Sequence, residues 1–579
     1  MKRIISIILV ISFFCSVLFL INISAEGETT EIDCFTFTEH DTYCELTKCK
    51  TSAVGDIEIP SSVDFDGKQL PVTKIGDDAF YNCLKITSVT IPDGVTSIGD
   101  RSFQFCNNLT SVNLPYGITA IGKYAFFGDI NLKVMDIPES VTEIGERAFY
   151  NCSGMTSITV PVGITSISDY LFGECKALTS VTIPDSVTSI GVCAFYYCNR
   201  ITKIELPDSV KTIGGNAFQF CTSLTRINLP DGIISINHDM FNGCASLTSI
   251  KIPDSVTEIG RCAFIDCLSL TDIVIPNGIT KIWEGAFSGC NDIKSIYIPE
   301  SVTEIGSGAF SELTSINVDT NNAYYSSIEG VLYNKDMTEL ISHPKTGSYT
   351  IPDGILSIGN AAFARCSDLT NITIPDTVTK IGNAAFSQCT SLESIVIPDG
   401  VTEIGTSVFY GCSSLASVDL PDGITAIGNS AFFNCSKLTD ITVPNGVTTI
   451  GINAFYSCKN LKNIIIPASV VSIDNQAFYM CTSLEKVYYP GSEEQWEKTE
   501  IGENNEYLKN ADIVFNYNEP ISEIGDVNKD GAINNKDVVA LFKAVSNGDV
   551  EYDRVYDFNE DGAVNNKDVV ALFKHVSAT

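Results

Sequence analysis

Histidine is almost missing from this 579-residue sequence. His40, His238, His343 and His575 stand in four different regions, so neither a Ser-His-Asp triad nor a histidine metal cluster is expected. His343 is expected on a surface loop. Positive charge is scarce as well: 36 Lys and Arg face 70 Asp and Glu, a formal balance of −34. That acidity argues against nucleic acid or an anionic membrane as partner and suits a protein that holds divalent cations. Cys or His pairs at a short, repeating spacing are absent, which removes zinc. No long apolar run follows Ile21, so insertion of the mature chain into a membrane is not expected.

What is present begins with an address. Lys2 and Arg3 precede an apolar run from residue 4 to 21, and Ile23-Ser24-Ala25 offers small residues before Glu26. Residues 1–25 therefore read as a cleaved export signal, which makes the protein secreted.

A 23-residue period then dominates. Proline recurs at that spacing from Pro92 to Pro299 and again from Pro352 to Pro490. The unit is L-x-x-V/I-x-I-P-D-x-V-x-x-I-G-x-x-A-F-x-x-C-x-x, with residues 178–200 a complete copy. Val181 and Ile183 alternate with Ser180 and Thr182, the period of a strand with one buried face. Proline ends that strand because it has no N–H for the ladder. Ala194 and Phe195 fill the interior from the opposite wall. One unit cannot bury its own apolar face, so neighbours must stack. About seventeen coils at the usual ~4.8 Å strand spacing are expected.

This repeat resembles the BspA-type leucine-rich repeats of bacterial surface proteins. The resemblance implies an α/β-type solenoid with a parallel strand ladder. The expected organisation is an N-terminal cap and first repeat over 26–79, repeats over 80–312, a strand-rich insertion over 313–350 and repeats over 351–490. A C-terminal cap over 491–517 and a linker over 518–525 follow.

Fifteen of the 21 cysteines, from Cys83 to Cys481, share one repeat column, with Asp129 and Leu313 as its exceptions. Equivalent positions on successive coils point their Cβ atoms the same way, poor geometry for a disulfide. A ladder of buried thiols is expected instead. Cys34, Cys44 and Cys49 in the cap are the best disulfide candidates, with one left over. Glu258, Lys281 and Glu304 share a column next to turn residues. Two coils is long for a glycosidase carboxylate pair, so they read as a surface charge ladder. The outward strand face is rich in hydroxyls (Ser88, Ser111, Ser157, Ser180, Ser249) and carries Tyr297 and Tyr488 as its aromatics. It could take a protein or glycan ligand, or serve as a spacer.

The composition changes after Pro520. Two twelve-residue segments match almost residue for residue, 526–537 and 557–568. Asp526, Asn528, Asp530, Asn534 and Asp537 place oxygen side chains at positions 1, 3, 5, 9 and 12, with Ala532 offering its carbonyl at 7. Asp557, Asn559, Asp561, Ala563, Asn565 and Asp568 repeat the set. Hard oxygen donors at this spacing, with Gly at 6 for the turn, suit Ca²⁺, one ion per loop. Each loop continues into Val-Val-Ala-Leu-Phe-Lys, whose apolar spacing is helical.

With Asp at position 12 and no helix in front of the first loop, residues 526–579 resemble a type I dockerin, a small all-α module that plugs into cohesin domains of cellulosome scaffolds. The resemblance implies that the cohesin is read by Asn535, Lys536, Phe542 and Lys543, and equally by Asn566, Lys567, Phe573 and Lys574. Asn-Lys replaces the Ser-Thr pair that many dockerins carry. The whole then reads as a secreted, non-catalytic binding or structural subunit anchored by calcium to a cohesin-bearing scaffold. The alternatives are a polysaccharide-degrading component of the same complex and a surface adhesin.

Overall fold

The structure, a computed structural model, describes residues 29–343 and 347–517, together with 536, 538–541, 569 and 572. The export signal read over 1–25 lies outside the described residues. The fold is a parallel-strand β-solenoid with a 23-residue period and about 19 turns. Two compact units divide it, Met1–Ile293 and Lys294–Thr579.

The first unit opens on three antiparallel strands, β1 (Thr29–Ile32), β2 (Phe35–Glu39) and β3 (Cys44–Cys49). The next strands are β4 (Gly55–Glu58), β5 (Ser62–Phe65), β6 (Lys68–Ile75) and β7 (Ile86–Thr90). Strand β6 runs parallel to β3 and starts one repeat ladder, while β4 pairs with β7 and starts another. From there the register advances by one repeat at a time: Ser88↔Ser111 and Val89↔Val112 in one ladder, Lys74↔Ser97 and Ile75↔Ile98 in the other.

The repeat prolines from Pro92 to Pro299 and from Pro352 to Pro467 each accept a turn hydrogen bond between these two strands, as Val95 N–H to the Pro92 carbonyl at 3.0 Å. The glycine that follows Ile on most coils sits in close contact with the coil before it, while Ser168, Asn237, Trp283 and Asp474 hold the same place on others. A Cβ on Gly99 or Gly145 would lie 2.5–2.6 Å from backbone atoms of the preceding coil.

The wall that carries Ala-Phe is built from turns. Two residues per coil adopt left-handed φ, for example Arg101 at 54° and Phe105 at 63°. Between them, N–H groups alternate in target. Gln104 and Cys106 bond back to Arg101 and Phe103, while Arg101, Phe103 and Phe105 donate to Lys123, Ala125 and Phe127 on the next coil. This third ladder satisfies the backbone without a helix. Behind it, ten buried phenylalanine rings from Phe80 to Phe287 stack at 4.7–6.0 Å between centroids.

The second unit repeats this plan, with six rings from Phe363 to Phe478 at 5.1–5.7 Å. Before them, Ile316–Val318 pairs in parallel with Ile296–Ile298, and Tyr325–Ile328, Val331–Asn334 and Glu339–Ser342 form an antiparallel meander. The last of these rejoins the ladder in parallel at Ser357–Ile358. At the far end, Asp512–Phe515 continues the ladder from Lys486–Tyr489. Such flanking segments explain why the turns exceed the seventeen counted from proline. Within 29–343 and 347–517 the helices are α1 (Glu493–Trp496), with a Ser492/Gln495 capping box, and α2 (Glu506–Lys509); residues 536, 538–541, 569 and 572 are helical as well. No described helix is long and apolar enough to cross a membrane.

Candidate functional site

The hydroxyl-rich columns are largely committed to the fold. Thr110 donates to the Thr87 carbonyl at 2.9 Å, Thr179 to Thr156 at 3.0 Å and Thr225 to Thr202 at 2.9 Å. A second column does the same, with Thr119 donating to Thr96 at 3.1 Å and Thr188 to Thr165 at 3.2 Å. These threonines spend their proton on the coil before them, while in the serine column of the strand face Ser88 donates to Asp56 at 2.6 Å. Tyr297 is exposed, and its hydroxyl donates to Asp319 at 2.7 Å. Glu258 pairs in register with Lys281 and accepts from the Trp283 indole at 3.1 Å, a surface arrangement.

The cysteine column is buried, as expected, and it has a task. Thirteen of its thiols donate to the phenylalanine carbonyl of the preceding coil, from Cys106 to Phe80 through Cys481 to Phe455, at 3.0–3.2 Å. Burial pushes Cys175, Cys221 and Cys481 up to about 12, which leaves them unreactive. Asp129, in the same column, accepts from the Cys106 N–H at 2.7 Å. Its Oδ2 is buried with no hydrogen-bond partner, and burial raises its carboxyl well above the usual range.

His343 corrects an expectation. It is not on a surface loop but buried, with its ring stacked on Phe363 at 4.8 Å and beside Tyr349 at 4.0 Å. The insertion supplies no phenylalanine at this level, and the imidazole takes the ring slot. Cys34, Cys44 and Cys49 are all free thiols, and Cys44 lies at the opposite end of β3 from Cys49.

Sequence reasoning missed a groove on the turn wall of the second unit. Glu312, Arg365, Gln388 and Asn434 line it along one column of left-handed residues, with Tyr410 beside them. Gly411 occupies that column where the coils on either side have Gln388 and Asn434, and Arg365 Nη1 lies 3.4 Å from Glu312 Oε2. Tyr410 also begins a half-buried ring stack through Phe433, Tyr456 and Tyr479 at 4.6–5.2 Å. The legible signal was the residue after Ala-Phe or Val-Phe turning aromatic in four consecutive copies.

The calcium set (Asp526, Asn528, Asp530, Ala532, Asn534, Asp537, Asp557, Asn559, Asp561, Ala563, Asn565, Asp568) lies outside the described residues. So do Asn535, Phe542, Lys543, Asn566, Lys567, Phe573 and Lys574. Of that set Lys536 is described: its Nζ lies 3.1 Å from Asp419 Oδ1, on the strand Ser417–Asp419. Leu541 and Leu572, at matching places in the two copies, are both buried. No cluster of His, Cys, Asp and Glu fit to hold a metal occurs among the described residues.

A two-strand coil with a turn wall, repeated at 23 residues, defines a leucine-rich-repeat solenoid. The profile of the BspA type leucine rich repeat region matches residues 73–202, 188–317, 341–435 and 402–516, and that of the dockerin type I domain matches 524–577. The chain belongs to the BspA-type leucine-rich-repeat family. Similar solved structures include a leucine rich cell surface protein from Faecalibacterium prausnitzii (28% identity, 82% of this chain, 98% of that one, TM-score 0.34). A leucine-rich repeat protein from Bacteroides ovatus (26%, 84% and 99%, 0.31) and the pneumococcal vaccine antigen PcpA (18%, 85% and 100%, 0.36) are others. No curated protein matches.

Proposed function

We propose that this is a secreted, non-catalytic repeat subunit that a calcium-loaded dockerin attaches to a cohesin-bearing scaffold of the cellulosome kind. The observation that carries the reading is the tandem pair of twelve-residue loops inside the segment that matches the dockerin profile, 524–577. Residues 526–579 form the dockerin behind a linker at 518–525. Two Ca²⁺ ions, one in each loop, gather carboxylates that would otherwise repel. Repeats fill 73–317 and 341–516, which supports binding rather than catalysis as their contribution. The strand face would present a protein or glycan ligand site of large area.

Titration calorimetry of the full chain against a panel of cohesins, with Ca²⁺ and with EDTA, tests this. Binding that requires Ca²⁺ is expected. Lys536→Glu with Phe542→Ala, or Lys567→Glu with Phe573→Ala, should each leave affinity within a few-fold, and the four together should abolish it. Absence of binding to every cohesin in Ca²⁺ overturns the reading. Loss of binding in either double variant alone overturns the equivalence of the two faces.

A further inference from the structure

The N-terminal cap gathers three thiols that the repeat ladder does not use. Cys49 ends β3 and is paired in register with the neighbour of Cys34, since Phe35 faces Cys49. The Lys50 N–H donates to the Cys34 carbonyl at 2.7 Å, which closes the two chains around that point. Cys83, the first residue of the cysteine column, lies against the same strand end, its thiol 3.8 Å from the Cys49 carbonyl and 3.9 Å from that of Lys50. The Cys49 thiol donates to the Lys50 carbonyl at 3.7 Å. Cys44 is excluded from this group. Five residues of extended strand separate it from Cys49, roughly 16 Å, and a disulfide needs Cα atoms within about 7 Å.

We propose that Cys34 and Cys49 form a disulfide that staples the cap onto the solenoid, with Cys83 remaining a thiol. Access decides the order of events. Cys34 is partly exposed, whereas Cys49 and Cys83 are 2% and 0% exposed. A small-molecule disulfide such as oxidised glutathione therefore meets Cys34 first. Exchange there gives a Cys34–glutathione mixed disulfide and one glutathione thiol. The Cys49 sulfur then attacks Cys34 Sγ, expels the second glutathione, and its proton leaves with that thiol. Two protein thiols are oxidised and one glutathione disulfide is reduced to two thiols.

The bond would close the hairpin of β2 and β3 at its base. Phe35 sits next to both cysteines and packs edge-on against Phe80, the first ring of the stack, at 6.2 Å. A closed base therefore fixes the residue that covers the end of that stack.

The test incubates the full chain with oxidised glutathione, alkylates the remaining thiols and maps peptides by mass spectrometry. A peptide pair linking Cys34 to Cys49 is expected, with two fewer alkylated cysteines and proteolysis of the β1 segment slowed at least tenfold. Cys83→Ser should keep the linked pair, and Cys34→Ser should lose it together with the proteolytic protection. A Cys49–Cys83 link, any link through Cys44, or a stable glutathione adduct on Cys34 overturns the proposal. So does the absence of any oxidation.

Discussion

The two units are interrupted in different ways. In the first, the cysteine column is broken by one buried side chain, Asp129. In the second, a whole stretch between the repeats is replaced by a β-meander, and His343 stands where the stack needs a ring. Both interruptions keep the demand of the column rather than its residue. Asp129 still serves the backbone beside it through the Cys106 N–H, and a proton on Oδ2 would restore the donor that a thiol supplies on other coils. His343 still gives Phe363 an aromatic face, and its carbonyl accepts the Cys366 thiol at 3.7 Å. The solenoid tolerates a change of residue wherever the new group meets the hydrogen bond and fills the space.

The sharpest break in this comparison is to empty a ring slot. Phe218→Ala in the first unit and Phe432→Ala in the second should each cost about 3–5 kcal/mol, read as a lower denaturation midpoint in urea. Equal losses would show that both stacks carry the same load; a loss below about 1 kcal/mol would show that the neighbours collapse into the space. Next comes His343. Replacement by Ala should cost about 2–4 kcal/mol, while His343→Phe, which keeps the ring and loses the nitrogens, should stay within about 1 kcal/mol of the native chain. A large loss for Phe would mean that the imidazole acts through its nitrogens rather than its shape.

Asp129 gives an effect of intermediate size with a definite sign. Its folded pKa is raised by burial, so folding takes up a proton above the unfolded value of about 3.9. Stability from this group is complete below that pH and is lost as pH rises towards the folded pKa. Asp129→Cys should therefore raise stability at pH 7 by about 1–3 kcal/mol and flatten the thermal midpoint between pH 4 and 7. An unchanged pH profile would show that the carboxyl is ionised in place. The smallest effect belongs to the hydroxyl ladder. Thr225→Val and Thr425→Val each delete one donor to the preceding coil and should cost less than about 1 kcal/mol, since these positions are exposed.

Much of this was legible in the order of residues. The 23-residue recurrence of proline, the alternation around Val181 and the alignment of fifteen cysteines dictate a stacked parallel ladder with buried thiols, because no single unit can cover its own apolar face. The calcium chemistry proposed for the two Asp-rich loops at 526–537 and 557–568 rests on spacing alone, since a calcium loop takes its donors from one short run of chain. Other features depend on which coil lies against which. At Gly99 and Gly145 glycine fits because the preceding backbone passes within 2.6 Å of the missing Cβ. The Ala-Phe wall is made of left-handed turns because its N–H groups bond to the next coil. His343 gave no sign of its burial, because the space it fills is defined by Phe363, twenty residues later. The cap thiols likewise met through a hairpin register and not through spacing. Local sequence sets the period and the strand, for these depend on neighbours along the chain. Tertiary structure alone set the glycine, the turn wall, the ring slot and the thiol group, for each depends on atoms that only stacking brings within contact.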